Sequence, residues 1–264
     1  DFAQREVNWI LGIGGIEVRA GESLGEAFTL DSLREEYDAV FLGFGLDGVN
    51  KLGLQGENVH GIQNAVDFIE HLRQAPDKST LPVGRRVVVI GGGMTAIDVA
   101  VQSKRLGSEL VDIVYRRGPE QMSASRYEQD FARSCGVSIR HWSAPTEIAV
   151  NDGVITMTFE KTTMDENGRL STTGETWTAE ADIVYKAVGQ AMGDDLRDQM
   201  AESLEMTNGR LVVDEERRTS LTGVWAGGDC VYGNDDLTVS AVQDGKLAAH
   251  SIDRYLRDGA SDNG

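Results

Sequence analysis

Cysteine is almost missing from this 264-residue chain: only Cys135 and Cys230 occur, far apart in sequence. Two such residues exclude a disulfide framework, a Cys-x-x-Cys redox pair and a zinc ligand set. A reducing, cytoplasmic setting is the expectation. Histidine is scarce too. His60, His71, His141 and His250 show no metal-ligand spacing and no recognisable triad, so no catalytic and no metal-binding residue is assigned. No apolar run approaches the length of a membrane span, and the first residues do not pass from a basic to an apolar stretch as a secretion signal does. Positive charge is also in deficit, with 25 Lys and Arg against 43 Asp and Glu, a formal charge of −18. Nucleic acid and anionic membranes are polyanions, and that balance excludes both as partners. The acidic surplus is either a solvated surface or a docking face for a basic partner.

Glycine, by contrast, is abundant, and its most informative cluster is Val87-Val88-Val89-Ile90-Gly91-Gly92-Gly93-Met94-Thr95-Ala96-Ile97-Asp98. Four apolar residues read as a buried parallel strand, and the residues after the glycines read as a helix. Gly91 permits a tight turn, Gly93 lets the backbone approach a pyrophosphate, and Ala96 allows close helix–strand packing. The helix start, Met94 and Thr95 included, offers free N–H groups to that pyrophosphate. The bland alternative is an ordinary glycine-rich βα turn.

The remaining chain reads as α/β, with a size that favours two domains. Helices are expected at 4–14, 29–36 (Asp31 or Ser32 as caps), 62–73 and 238–256, and a strand at Ile16–Arg19. Gln74–Gly84, with two prolines, reads as a linker. From Arg85 the pattern is β-α-β, with a second strand at Val111–Tyr115. Ser125 and Glu128 stand in capping-box spacing before a helix that stops at Gly136. Strand Val137–Trp142 follows, and the turn signals Asp152-Gly153 and Asn167-Gly168 bracket an antiparallel excursion. Asp38–Gly45 aligns without gaps on Asp182–Gly189. Both read as strands that leave a sheet through a glycine near a bound nucleotide. Two such closing strands imply two dinucleotide-binding domains, yet only one opening fingerprint is present. The second would lie upstream of Asp1, so the chain reads as a piece of a longer polypeptide.

The ordered set Tyr37–Leu42, Leu54-Gln55-Gly56-Glu57, the glycine fingerprint, Val114-Tyr115-Arg116-Arg117, Ala187-Val188-Gly189-Gln190 and Gly223–Asp229 resembles the flavin-containing, NAD(P)H-oxidising subunit of glutamate synthase. It is similar as well to the related flavin module of dihydropyrimidine dehydrogenase. The resemblance implies a Rossmann-like NAD(P)-binding domain at 82–189 inserted in an incomplete FAD-binding domain formed by 1–81 and 190–264, a two-dinucleotide-binding flavoprotein. That family's N-terminal FAD fingerprint and iron–sulfur cysteine region have no counterpart here. Met94 replaces a usual Asn or Asp, and Gln55 and Ser123 each replace a proline.

Arg116 and Arg117 end the second strand of the nicotinamide domain, where an NAD site tends to carry an acidic residue. An arginine there suits a 2′-phosphate, which favours NADPH over NADH; a solvated basic pair is the alternative. By resemblance Asp229, after Gly228, accepts hydrogen bonds from the FAD ribityl chain, against a plain turn-capping role. By resemblance too, Thr238 and Val239 open a helix whose N-terminus meets the flavin pyrimidine edge, and Gly43 and Gly45 lie near the FAD phosphates or adenine. Asp98 is either a ligand contact or a carboxylate favoured by its helix N-terminus. The implied chemistry is hydride transfer from NAD(P)H to flavin, with electrons passing to a partner subunit or domain through iron–sulfur clusters held outside this chain. The competing class is a nucleotide-binding fragment without turnover, and the isolated chain is expected to be colourless.

Overall fold

The computed structural model describes residues 2–261. The chain opens with α1 (Phe2–Leu11), α2 (Leu30–Glu36) and β1 (Val40–Leu42). Its middle carries β2 (Gly48–Val49), β3 (Ile62–Asn64), α3 (Ala65–Gln74), β4 (Arg86–Ile90), α4 (Met94–Arg105), β5 (Leu110–Val114), α5 (Arg126–Ser134), β6 (Ser138–Arg140), β7 (Ser143–Asn151), β8 (Val154–Met164), β9 (Leu170–Ala181), β10 (Ile183–Lys186) and β11 (Gln190–Ala191). It closes with α6 (Asp194–Ser203), β12 (Met206–Thr207), β13 (Arg210–Leu211), β14 (Val224–Ala226) and α7 (Thr238–Ser261).

Two compact units result. One is Asp47–Ala191; the other joins the chain up to Leu46 to the chain from Met192 onward. The sequence-based boundary at 82 therefore falls inside the middle unit. The reason is β3: Ile62–Asn64, read from sequence as the first turn of a helix, pairs in parallel with β10 and carries α3 into the same sheet. The segment 74–84 is a connection within that unit.

The middle unit is a five-stranded sheet in the order β3-β10-β4-β5-β6, parallel throughout. Alternation along β4 explains its unbroken apolar run. Val87 and Val89 pack with Phe68 of α3, Ala96, Ile97 and Ala100 of α4, and Ala132 of α5. Val88 and Ile90 point the other way, onto Ile155, Met157 and Phe159 of β8. A strand buried on both faces has no polar side to show. Each fully buried valine contributes roughly 1.5–3 kcal/mol. The β7-β8-β9 meander supplies that second cover, and its first turn holds Asp152 and Gly153 at φ 51° and 80°, as a two-residue hairpin demands.

In the other unit β1 pairs in parallel with β14, Val40 to Val224 and Leu42 to Ala226. Leu30, Met192, Met200, Leu204, Leu211 and Val231 pack around this pair. The Asn208-Gly209 turn joins β12 to β13. Thr29, not Asp31 or Ser32, caps α2, with the Ser32 hydroxyl returning the bond. Ile16–Arg19 forms no strand and is exposed throughout.

Candidate functional site

In the middle unit β4 delivers the chain to Gly91, whose N–H donates to the Val114 carbonyl at 3.1 Å. Its φ is +146°, and a Cβ there would run into the Ala187 carbonyl just beyond β10. Only glycine fits. Gly92 lies against the Tyr115 ring, and its carbonyl accepts from the Ala124 N–H at 3.2 Å. Gly93 is the N-cap of α4 and has no side chain to cap it; its carbonyl takes the Ala96 and Ile97 N–H groups at 3.0 and 3.2 Å. A twelve-residue helix thus begins at the carboxyl end of a central parallel strand with its dipole uncapped. Met94 is half exposed, Thr95 is partly buried, and Ala96 is fully buried against the sheet.

Asp98 lies one turn further on, on the side of α4 that meets α3. With Thr95 and α3 residues Val66, Ile69, Glu70, Arg73 and Gln74 it lines an open groove of about 380 Å³. Partial burial against that groove raises its carboxyl pKa, opposed by the Arg73 charge. Gly189 follows β10 and lies beside the Asn50 amide.

Arg116 and Arg117 follow β5, the neighbour of β4 in the sheet, after Tyr115. Arg116 is exposed and Arg117 half-buried. Neither meets a carboxylate among the described residues, although the chain carries 43 acidic side chains and most of its arginines are ion-paired. The Arg117 Nε is shielded from solvent and has no hydrogen-bond partner among the described residues. A buried donor left open costs about 1–3 kcal/mol.

The remaining predicted residues gather in the other unit. Because β1 and β14 run parallel, Gly43–Gly45 and Gly227–Asp229 leave the pair at the same end. The Gly227 N–H donates to the Leu42 carbonyl at 3.1 Å, and the Cys230 thiol to the Gly227 carbonyl at 3.3 Å. Burial pushes that thiol pKa up, consistent with a packed rather than reactive side chain. Gly228, at φ +78°, donates its N–H at 2.9 Å to Asp244 of α7, which is nearly inaccessible to solvent. Asp244 also accepts from the Asn234 amide at 2.8 Å and faces the Arg217 guanidinium at 2.7 Å. Sequence reasoning missed this knot. Its one signal was an aspartate on the buried face of an amphipathic helix, seven and four residues before Ser251 and Ala248. Asp229 itself makes no side-chain hydrogen bond or ion pair among the described residues. Burial raises its carboxyl pKa, helped by Asp236 and opposed by Arg210. Thr238 and Val239 are exposed in the first turn of α7.

The sequence model of the pyridine nucleotide-disulphide oxidoreductases matches residues 3–245. The chain belongs to that family. Within it, the chain is 34% identical over 263 residues to the glutamate synthase [NADPH] small chain of Escherichia coli (strain K12), covering 92% of this chain and 55% of that protein. It is 32% identical over 256 residues to the NADP(+)-dependent formate dehydrogenase subunit beta of Moorella thermoacetica, covering 94% and 36%. The chain therefore spans between about a third and about a half of these curated relatives. The resemblance to glutamate synthase small chains is borne out. Among solved structures, Mycobacterium tuberculosis FprA in complex with NADPH matches with a TM-score of 0.68 at 20% identity, covering 91% of this chain and 68% of FprA. T. acidophilum thioredoxin reductase matches with a TM-score of 0.64 at 23% identity, covering 81% and 64%. These likenesses bear out the two-dinucleotide-binding α/β fold. Among the described residues no helix is long and apolar enough to cross a membrane, and no group of His, Cys, Asp and Glu could hold a metal ion.

Proposed function

We propose that this chain belongs to an electron-transfer flavoprotein subunit in which the middle unit binds NADPH and the other unit contributes to an FAD site. The carrying observation is the uncapped N-terminus of α4 behind Gly91–Gly93, one strand away from two arginines that have no carboxylate partner among the described residues. A pyrophosphate fits the first, and a 2′-phosphate fits the second. The backbone of Gly91, Gly92, Gly93, Met94 and Thr95 holds the diphosphate, Arg116 and Arg117 hold the 2′-phosphate, and Gly189 closes the βα crevice. Asp98, turned towards α3, is a candidate contact at the groove edge rather than to the diphosphate. The domain roles follow the same division, with the FAD-binding segments flanking the NADPH-binding one.

Asp229, Gly228, Gly43, Gly45 and the first turn of α7 at Thr238 and Val239 fit a flavin. A carboxylate with no partner among the described residues follows β14 at the end of the pair where β1 leads into Gly43–Gly45, and the first turn of α7 is exposed. When bound, the two cofactors supply hydride transfer from nicotinamide to flavin, and the protein's part is alignment and exclusion of water. No side chain here acts as acid, base or nucleophile. Electrons then leave for a partner subunit or domain that carries iron–sulfur clusters, in the cytoplasm. The names of the relatives, an NADPH small chain and an NADP(+)-dependent beta subunit, support this reading.

Titration of the chain with NADPH and NADH, followed by quenching of tryptophan fluorescence, tests it. Micromolar binding with a several-fold preference for NADPH is expected. Absence of binding, or a preference for NADH, overturns the reading. The absorption spectrum of the chain after incubation with FAD and gel filtration separates the flavin-holding form from a nucleotide-binding module without turnover.

A further inference from the structure

The loop that carries the arginine pair is tied to the antiparallel meander at three successive residues. The Tyr115 carbonyl accepts from the Ser143 N–H at 3.1 Å, the Arg116 carbonyl from the Thr162 hydroxyl at 2.7 Å, and the Arg117 carbonyl from the Trp142 N–H at 3.1 Å. The Gly118 carbonyl accepts from the Gln121 N–H at 3.2 Å. Four consecutive carbonyls of a connection that follows a strand are thus all engaged by protein.

Two of the residues responsible are themselves held abnormally. Trp142 has φ +56°, a left-handed conformation that is strained for a bulky residue and persists only where its surroundings enforce it. Both of its backbone polar groups are committed, the N–H to Arg117 and the carbonyl to the Thr162 N–H at 3.0 Å. Its ring covers Gly118 so closely that a Cβ there would sit 2.6 Å from it. Thr162 is 5% exposed and lies at the β8 irregularity that shifts its register against β9. That irregularity re-aims the Thr162 side chain, as bulges beside functional sites do.

We infer that Thr162 and Trp142 are positioning residues that pre-set the Arg116–Arg117 loop and thereby determine selectivity for a 2′-phosphorylated dinucleotide. The inference rests on the reading of the arginine pair as phosphate-binding and goes beyond it by assigning the selectivity to the meander. A loop ordered before the ligand arrives does not lose its conformational freedom on binding. Arg116 is exposed and Arg117 only half-buried on this loop, so guanidinium N–H groups are within reach of a phosphate oxygen and the contact is charge-assisted.

The test compares wild type, Thr162→Val and Thr162→Ser by calorimetric titration with NADP+ and with NAD+, alongside thermal unfolding. Valine keeps the shape and removes the hydroxyl, so NADP+ affinity falls about three- to tenfold while NAD+ affinity moves less than about twofold. Serine keeps the hydroxyl and restores the wild-type ratio. A merely structural role lowers the unfolding temperature and both affinities together, and that outcome overturns the inference. So does a Val variant whose NADP+/NAD+ ratio equals wild type. Wild-type chain that binds neither dinucleotide overturns the nucleotide-site reading along with it. Trp142→Gly, which suits the left-handed backbone but removes the ring over Gly118, gives a second reading should the valine variant not fold. It is expected to lower the NADP+/NAD+ ratio at least about threefold, and an unchanged ratio counts against the inference.

Discussion

The glycine turn at 91–93 and the glycine turn at 227–228 are built in different ways. The first is contiguous, with strand, turn and helix following one another within about twenty residues. Gly91 and Gly92 are demanded by a backbone and a ring contact from Ala187 and Tyr115, just beyond β10 and β5. The second is assembled from the two ends of the chain, β1 and β14, and is held in shape by a buried polar knot of Asp244, Arg217 and Asn234. A contiguous site tolerates little change in its backbone. An assembled site depends instead on the side chains that tie its parts together.

Gly91→Ala breaks the contiguous turn most severely. It adds a Cβ against the Ala187 carbonyl at a φ of +146°, and unfolding in urea is expected to show the middle unit destabilised by more than about 3 kcal/mol. Gly45→Ala, also at positive φ but with nothing within 4 Å of its Cβ, is the control in the other unit and costs only about 1–2 kcal/mol. Equal losses for the two would remove the contrast.

Asp244→Ala attacks the assembled turn. It strands the Arg217 charge and the Gly228 N–H, and a loss of about 3–5 kcal/mol is expected in denaturant unfolding of that unit. Arg117→Gln sharpens the comparison from the ligand side. NADPH affinity is expected to fall about tenfold or more with NADH affinity little changed, measured by fluorescence titration. Ser125→Ala removes one half of the α5 capping box and costs about 1 kcal/mol in the same unfolding assay.

The smallest effect concerns acid. Hydrogen bonds from the Arg86 guanidinium and N–H, at 2.8 and 2.9 Å, hold the Asp182 carboxyl below its ordinary 3.8. A carboxylate with a depressed folded-state pKa stabilises the fold above the unfolded value and loses that contribution as pH falls through the folded one. The unfolding temperature is therefore expected to drop as pH falls below about 4, and more gently in Asp182→Asn. An identical slope in the variant assigns the acid sensitivity elsewhere.

Much of the middle unit was legible because its signals are local. The valine run, the Ser125–Glu128 capping box and the turns at Asp152-Gly153 and Asn167-Gly168 each specify a conformation from adjacent residues. The echoing segments Asp38–Gly45 and Asp182–Gly189 each contain a parallel strand, β1 and β10. Ile62 misled because three residues of a short parallel strand carry no periodicity of their own, and the helix that follows extends its pattern backwards. Ile16–Arg19 misled because β propensity without a pairing partner forms no strand.

The sequence by itself determined the βαβ turn, its caps and its hairpins, because steric and hydrogen-bonding preferences within a few residues suffice for them. Tertiary structure alone decided that β3 joins the middle sheet, that Asp244 ties down Gly228, and that Thr162 and Trp142 grip the arginine loop. Those contacts join residues from 16 to more than a hundred positions apart, in pairs such as Gly228 with Asp244, Thr162 with Arg116 and Val184 with Ile62. Such pairs are chosen by burial and register once the sheet has formed, and no local pattern encodes them.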